Sequence, residues 1–290
     1  MKNIYKIVKS MVENNKYYSK KVVIDTAYKQ SKLIIKQISE GTFNKKFFRY
    51  GNLKLADNIA KFTLPEQVTC KFNCESCYAK KMPYDSIKIF RLTNLFIILY
   101  ALNNDKFGYV LRNYIRQELI KHYYNCLSKR KVPIVRFHDS GDVFSIEYLR
   151  YIFTIVIQNP EIYFYTYTKN SFIFDKYIKM KKDLNVKNFN IVYSHILNHP
   201  NYFNFINNFD SEFIKFNSIV HHFKMFKTPL FFCNYNFEKL QEKNKENYNK
   251  LIKYFEENKD TITYNKRHSI CGDCVACSAR GYRFVAFLKH

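Results

Sequence analysis

Tryptophan is absent from the 290 residues, and glycine and proline occur only six times each. That scarcity excludes collagen-like and low-complexity chains. It also leaves no Pro/Gly/Ser-rich linker to cut the sequence into separate domains. Long apolar runs are missing too. The longest, Leu95 to Leu102 (LFIILYAL), falls far short of the about 20 residues that span a bilayer and reads as a buried helix. The opening MKNIYKIVKSMVENNKYYSKK never assembles an apolar stretch followed by a small-residue cleavage site. A cytoplasmic location with no membrane partner is therefore expected. A reducing compartment argues against a disulfide framework for the eight cysteines.

Acidic side chains are also few, 24 against 48 Lys and Arg, which gives a formal net charge of +24. The imbalance favours a polyanionic partner. Part of it follows from composition, because Lys rises together with Asn, Ile, Phe and Tyr where coding sequence is rich in A and T. Cations beside aromatic rings, as in KKFFRY at 45–50, can track phosphate while the rings stack on unpaired bases. No helix-turn-helix, zinc-finger or RNA-recognition pattern occurs. The expected nucleic-acid contact is thus not sequence-specific.

Hydrophobic residues make up 47% of the chain, enough for a sizeable core. Residues 1–45 carry apolar side chains at helical spacing (Ile4, Ile7, Val8, Met11) and read as a basic helical layer. From residue 57 short apolar strands alternate with helical stretches: strands at Asn58–Leu64, Val132–Phe137, Ile162–Thr168, Asn188–Ser194, Pro229–Asn234 and Arg283–Leu288. Helical patterns cover residues 86–128, split near Asn103–Gly108, then Ser145–Gln158 with Ser145 as N-cap, and Phe237–Asn258. Alternation of this kind implies parallel strands covered by helices. The fold expected is α/β, a partial (β/α)6-type barrel over 46–235. The helical layer of 1–45 precedes it, and a helix, a cysteine-rich segment and a final strand over 236–290 follow. Functional groups in such folds sit at the carboxyl ends of the strands.

Two cysteine groups stand out. Cys70, Cys74 and Cys77, spaced C-x3-C-x2-C, follow the first strand directly. Three close thiolates can hold three irons of a 4Fe–4S cubane and leave the fourth iron open to an external ligand. Zinc is the alternative, but it usually takes cysteine pairs with a second pair elsewhere. Cys271, Cys274 and Cys277, spaced C-x2-C-x2-C, form the second group, a candidate iron–sulfur or zinc site. A ferredoxin-like run is incomplete there because Gly281 occupies the fourth position. Cys233, Cys126, His268 and His290 are the candidate fourth ligands, in that order. Cys126 and Cys233 also suit buried core thiols, and the second group suits a stapled tail as well as a working cluster.

The run VRFHDSGDVFSIEYL resembles the cofactor turn of radical S-adenosylmethionine enzymes, as CKFNCESCY resembles their cluster loop and FYTYTKN their third strand end. More closely, LPEQVTC, CYAKK, RFHDSGDVFSIEYL, FYTYTKN and the terminal VAFLKH resemble the phage gene product 88 family over residues 45–290. The family supplies a mobile-element setting and no settled activity. The enzyme resemblance implies S-adenosylmethionine on the open iron and an external electron donor. It also implies cofactor contacts from Ser140, Gly141 and Asp142, where Asp142 meets the cofactor ammonium and Gly141 permits close approach. Two departures stand against that pattern: Ser76 replaces an aromatic residue, and Ser140–Gly141–Asp142 replaces a diglycine-acid turn.

His138 and Asp142, just beyond an apolar strand, are candidates for proton transfer, with an ordinary solvated turn as the alternative. Lys169 is a candidate for a carboxylate or phosphate. The scarcity of glycine marks Gly141 and Gly272 as points where backbone approaches a ligand. The function expected is an iron–sulfur, radical S-adenosylmethionine-like enzyme acting on nucleic acid or protein through a 5′-deoxyadenosyl radical. The alternative is a non-enzymatic nucleic-acid-binding protein stabilised by iron–sulfur or zinc.

Overall fold

Apolar side chains four apart turn one stripe of α1 (Lys2–Val12) inward through Ile4, Val8 and Val12. The same logic buries Val23, Ile24, Ala27, Ile35 and Ile38 of α2 (Lys21–Ser39). In α3 (Asp85–Leu102) the apolar residues run all the way round, and Arg91 through Leu99 are buried continuously. It is the central helix, packed between α1, α2 and α4 (Asp105–Ser128). The computed structural model from which this architecture is read describes residues 1–13, 15, 17–51, 56–70, 84–193, 202–203, 209–225, 230–233, 237–264 and 285–288.

The first sheet contains β1 (Arg49–Tyr50), β2 (Ile59–Lys61), β3 (Ile134–Arg136), β4 (Tyr163–Thr168) and β5 (Phe189–Tyr193) in sequential order. β1 runs antiparallel to β2, and β2 to β5 are mutually parallel. Helices α3 and α4 connect β2 to β3, α5 (Ile146–Ile157) connects β3 to β4, and α6 (Ser171–Asp183) connects β4 to β5. Strand alternation gives the sheet two different faces. Ala60, Val135, Phe164 and Phe189, level with one another across the strands, join the helices in the main core. Ile59, Ile134 and Tyr165 form a separate apolar cluster on the other face, with Tyr167 packed against it.

Side-chain oxygens cap the connecting helices where the sequence offers them. Asn104 accepts from Phe107 N–H at 2.8 Å, Ser145 from Tyr148 N–H at 3.1 Å and Asn170 from Ile173 N–H at 3.3 Å.

The later strands do not extend this sheet. β6 (Tyr202–Phe203), β7 (Leu230–Cys233), β8 (Ile262–Tyr264) and β9 (Val285–Leu288) form a second, parallel sheet in the order β6-β9-β7-β8. The architecture is therefore mixed α/β with two sheets among the described residues, where one six-stranded partial barrel is expected from the sequence. β9 lies between β6 and β7 and occupies an edge of each, so these strands pair with one another rather than with β5. Strands from either side of residue 235 share this sheet, which ties the expected barrel segment to the expected C-terminal segment. α7 (Phe209–Met225), α8 (Phe237–Lys243) and α9 (Lys245–Glu257) accompany it. Leu251 and Phe255 of α9 are fully buried, and Phe255 lies edge-on to Phe216 of α7. Among the described residues no helix is long and apolar enough to cross a membrane.

Candidate functional site

Beyond β2 the chain turns through Leu64–Pro65–Glu66 toward Thr69 and Cys70, and beyond β3 it turns through His138–Asp142. The two turns are locked to each other. Leu64 N–H donates to the Ser140 carbonyl at 2.9 Å, and the Ser140 hydroxyl donates back to the Leu64 carbonyl at 2.8 Å. Asp142 N–H donates to Thr69 Oγ1 at 3.2 Å, while the Thr69 hydroxyl donates to the Pro65 carbonyl at 3.0 Å. Gly141 has φ +87°, and a Cβ there would stand 2.6 Å from Thr69 Oγ1 and 2.8 Å from Leu64 Cβ. The close approach that this glycine permits is thus to the chain's own segment leading into Cys70.

A buried carboxylate organises the same place. Glu66 Oε2 accepts from the Tyr18 hydroxyl at 2.6 Å and from Arg91 Nη1 at 2.5 Å, and lies 3.0 Å from the Ser140 hydroxyl, whose single proton it shares with the Leu64 carbonyl. Tyr18, Glu66, Arg91 and Ser140 are all buried. The helical layer, α3 and both sheet-edge turns therefore meet on one ion. Charge-assisted hydrogen bonds of this kind are the strong ones.

Asp142 is also buried. Its Oδ1 accepts from Val143 N–H at 2.7 Å and its Oδ2 from Lys169 N–H at 3.3 Å, and the Thr168 hydroxyl bonds to the carboxylate as well. Burial outweighs these donors and pushes its pKa up to about 7. Lys169 thus reaches this cluster through its backbone, just beyond β4. His138 sits in the core at φ +60°, with Nδ1 3.0 Å from Thr166 Oγ1 and Nε2 2.9 Å from the Tyr148 hydroxyl. Burial, reinforced by Arg136, drives its pKa down to about 3, so it is neutral at pH 7. Gln67, in the turn after β2, has φ +60° too. Two residues other than glycine in the left-handed region flank the site, each at a cost of about 1–3 kcal/mol.

Of the proposed metal ligands, Cys70 is half-buried directly after Thr69. Cys233 ends β7. Cys74, Cys77, Cys271, Cys274 and Cys277 lie outside the described residues, as do Gly272, His268 and His290. Among the described residues, no three His, Cys, Asp or Glu side chains are grouped to hold a metal ion. Cys126 is a core thiol: its Sγ is 3.7 Å from both ring nitrogens of His122, and burial pushes its pKa up to about 11.

The family is decided by a match over residues 29–280 to the model of gene product 88. The chain belongs to the gene product 88 family. That match includes the cysteine loop, both turns after β2 and β3, and the second cysteine group. No curated protein and no solved structure matches the chain.

Glu66, Thr69, Tyr18 and Arg91 are site residues that the sequence does not single out. Glu66 and Thr69 belong to the LPEQVTC run, but in sequence they resemble any solvated turn. Tyr18 and Arg91 are far from it along the chain.

Proposed function

We propose that this member of the gene product 88 family is a radical S-adenosylmethionine-type iron–sulfur enzyme of phage or mobile-element origin, acting on nucleic acid or protein. The observation that supports it is the fixed launch point of the cysteine loop. Cys70 follows Thr69, whose hydroxyl is held between Pro65 and Asp142, at the carboxyl edge of sequential parallel strands. Such an order is how a partial (β/α)6-type barrel begins.

Cys70, Cys74 and Cys77 would supply three thiolates to a 4Fe–4S cluster. Cys271, Cys274 and Cys277, with Cys233 as fourth ligand, would hold a second cluster or zinc. When bound and reduced by an external donor, the first cluster with S-adenosylmethionine supplies a 5′-deoxyadenosyl radical for hydrogen abstraction. In this reading Ser140, Gly141 and Asp142 are positioning residues that hold the segment leading into the cysteine loop. Asp142 is also the group that holds or releases a proton near neutral pH. His138, buried and neutral, orients Thr166 and Tyr148.

Anaerobic purification with iron and zinc analysis, electron paramagnetic resonance with and without S-adenosylmethionine, and detection of 5′-deoxyadenosine after reduction test the reading together. Iron, a spectrum altered by S-adenosylmethionine and cleavage abolished by Cys74→Ala are the expected results. Zinc in place of iron, or a cluster indifferent to S-adenosylmethionine, overturns it. Those outcomes would favour a metal-stabilised nucleic-acid-binding protein.

A further inference from the structure

The register of the first sheet lines up one row of residues across five strands. Arg49 of β1 is level with Lys61 of β2, Lys61 with Arg136 of β3, Arg136 with Tyr165 of β4, and Tyr165 with Asn190 of β5. Residues level with one another on neighbouring strands point to the same face. This is the face of Ile59, Ile134 and Tyr165, opposite the helical core. Three cations are thus consecutive neighbours. Like charges placed directly opposite across strands are destabilising.

Asp139 is the carboxylate placed among them, 3.8 Å from Lys61 Nζ and 3.4 Å from Arg136 Nη1. The Lys61 and Arg136 side chains are only 11% and 17% exposed. Burial lowers the pKa of both Arg49 and Lys61; Asp139 raises both in part, while Arg91 of α3 lowers that of Arg49 and the row neighbours Arg136 and Arg49 lower that of Lys61. The Arg49 guanidinium lies 3.9 Å from the centroid of the Phe90 ring, and an anion would offset the mutual repulsion of the neighbouring cations. Beside the row, the Arg136 guanidinium lies 5.4 Å from the centroid of the half-buried Tyr167 ring. Tyr167 stands edge-on to Tyr165 at 5.8 Å.

We propose that Arg49, Lys61 and Arg136 bind the phosphate of a nucleotide, with the Tyr167 ring against its base. A recessed row suits a single phosphate group of a nucleotide or strand end better than the broad contour of a duplex. An aromatic ring next to cations is the pairing that unstacked nucleotides take. The site goes beyond the proposed radical chemistry and depends on neither cluster nor S-adenosylmethionine.

Calorimetric titration of the full-length chain without added S-adenosylmethionine tests it, using thymidine 5′-monophosphate, thymidine and inorganic phosphate as probes. The nucleotide should bind about tenfold more tightly than either fragment, and Arg49→Gln with Lys61→Gln should lose about tenfold in nucleotide affinity. Lys182→Gln, a basic position on α6 away from the row, should leave affinity unchanged. Arg49→Gln alone, at the exposed end of the row, serves if the double variant does not fold. Undetectable nucleotide binding overturns the proposal, as does inorganic phosphate binding equally well or affinity retained by the row variants. Failure of the iron and cleavage assays leaves these results standing, so the two readings fail separately.

Discussion

Ser140 Oγ and Glu66 Oε2 lie 3.0 Å apart, and this contact ties the turn after β3 to the turn after β2. Glu66 also compensates the buried Arg91 guanidinium at 2.5 Å. Removing one partner of a buried ion pair costs about 3–5 kcal/mol, because the remaining charge keeps its desolvation penalty. Glu66→Gln should therefore destabilise the fold by about 3 kcal/mol in urea titration. A loss below about 1 kcal/mol would show that Arg91 is compensated by other groups.

Gly41 and Gly141, both in the left-handed region, separate backbone strain from steric contact. Gly41, at φ +71°, has nothing within 4 Å of an added Cβ, whereas Gly141 meets Thr69 Oγ1 at 2.6 Å and Leu64 Cβ at 2.8 Å. Gly41→Ala should cost about 1 kcal/mol from the dihedral alone, and Gly141→Ala at least about 2 kcal/mol more. Equal losses in chemical denaturation would mean the 64–69 segment moves aside without resistance.

Asp142 and His138 drive stability in opposite directions with pH. The folded Asp142 pKa of about 7 lies above its ordinary 3.8, so the folded state holds more protons and stability falls as pH rises from about 4 to about 7. The folded His138 pKa of about 3 lies below its ordinary 6.5, so stability rises with pH between about 3 and about 6.5. Over most of that window the two oppose each other. Asp142→Asn removes the first trend, so its stability relative to the parent should improve steadily from pH 4 to pH 7 and then level off. A difference flat across that range would show that Asp142 ionises as an ordinary carboxylate.

Ser145 caps α5 through its side chain at 3.1 Å from Tyr148 N–H. Ser145→Ala should cost about 1 kcal/mol, and Ser145→Asp should restore most of it. Thermal unfolding of the three proteins checks the order.

Much of the first sheet is legible in the sequence because its signals are local. Apolar runs ended by Pro or by polar clusters mark β2 to β5, and Ser145 before an amphipathic run marks α5. The strands β1 and β6 are only two residues long, too short for periodicity to register. The placement of β9 between β6 and β7 is invisible for another reason. Local pattern shows that Val285–Leu288 is a strand but not which edges it meets. At the site, His138 to Asp142 stand out as polar residues after an apolar strand. Glu66 does not, because its burial depends on Tyr18 and Arg91 from other elements. The cation row is likewise unreadable until register places Arg49, Lys61 and Arg136 side by side.

β2 and β3 are adjacent strands, yet the whole α3–α4 excursion lies between them in the chain. Pairings across such a separation form late, because the intervening loop must first be closed at an entropic cost. The helices can pack on nearby partners beforehand, with α3 against α2 and α4. The turns that bring Thr69 to Asp142 should then be among the last features to form. Substitutions there should chiefly accelerate unfolding and leave the folding rate almost untouched.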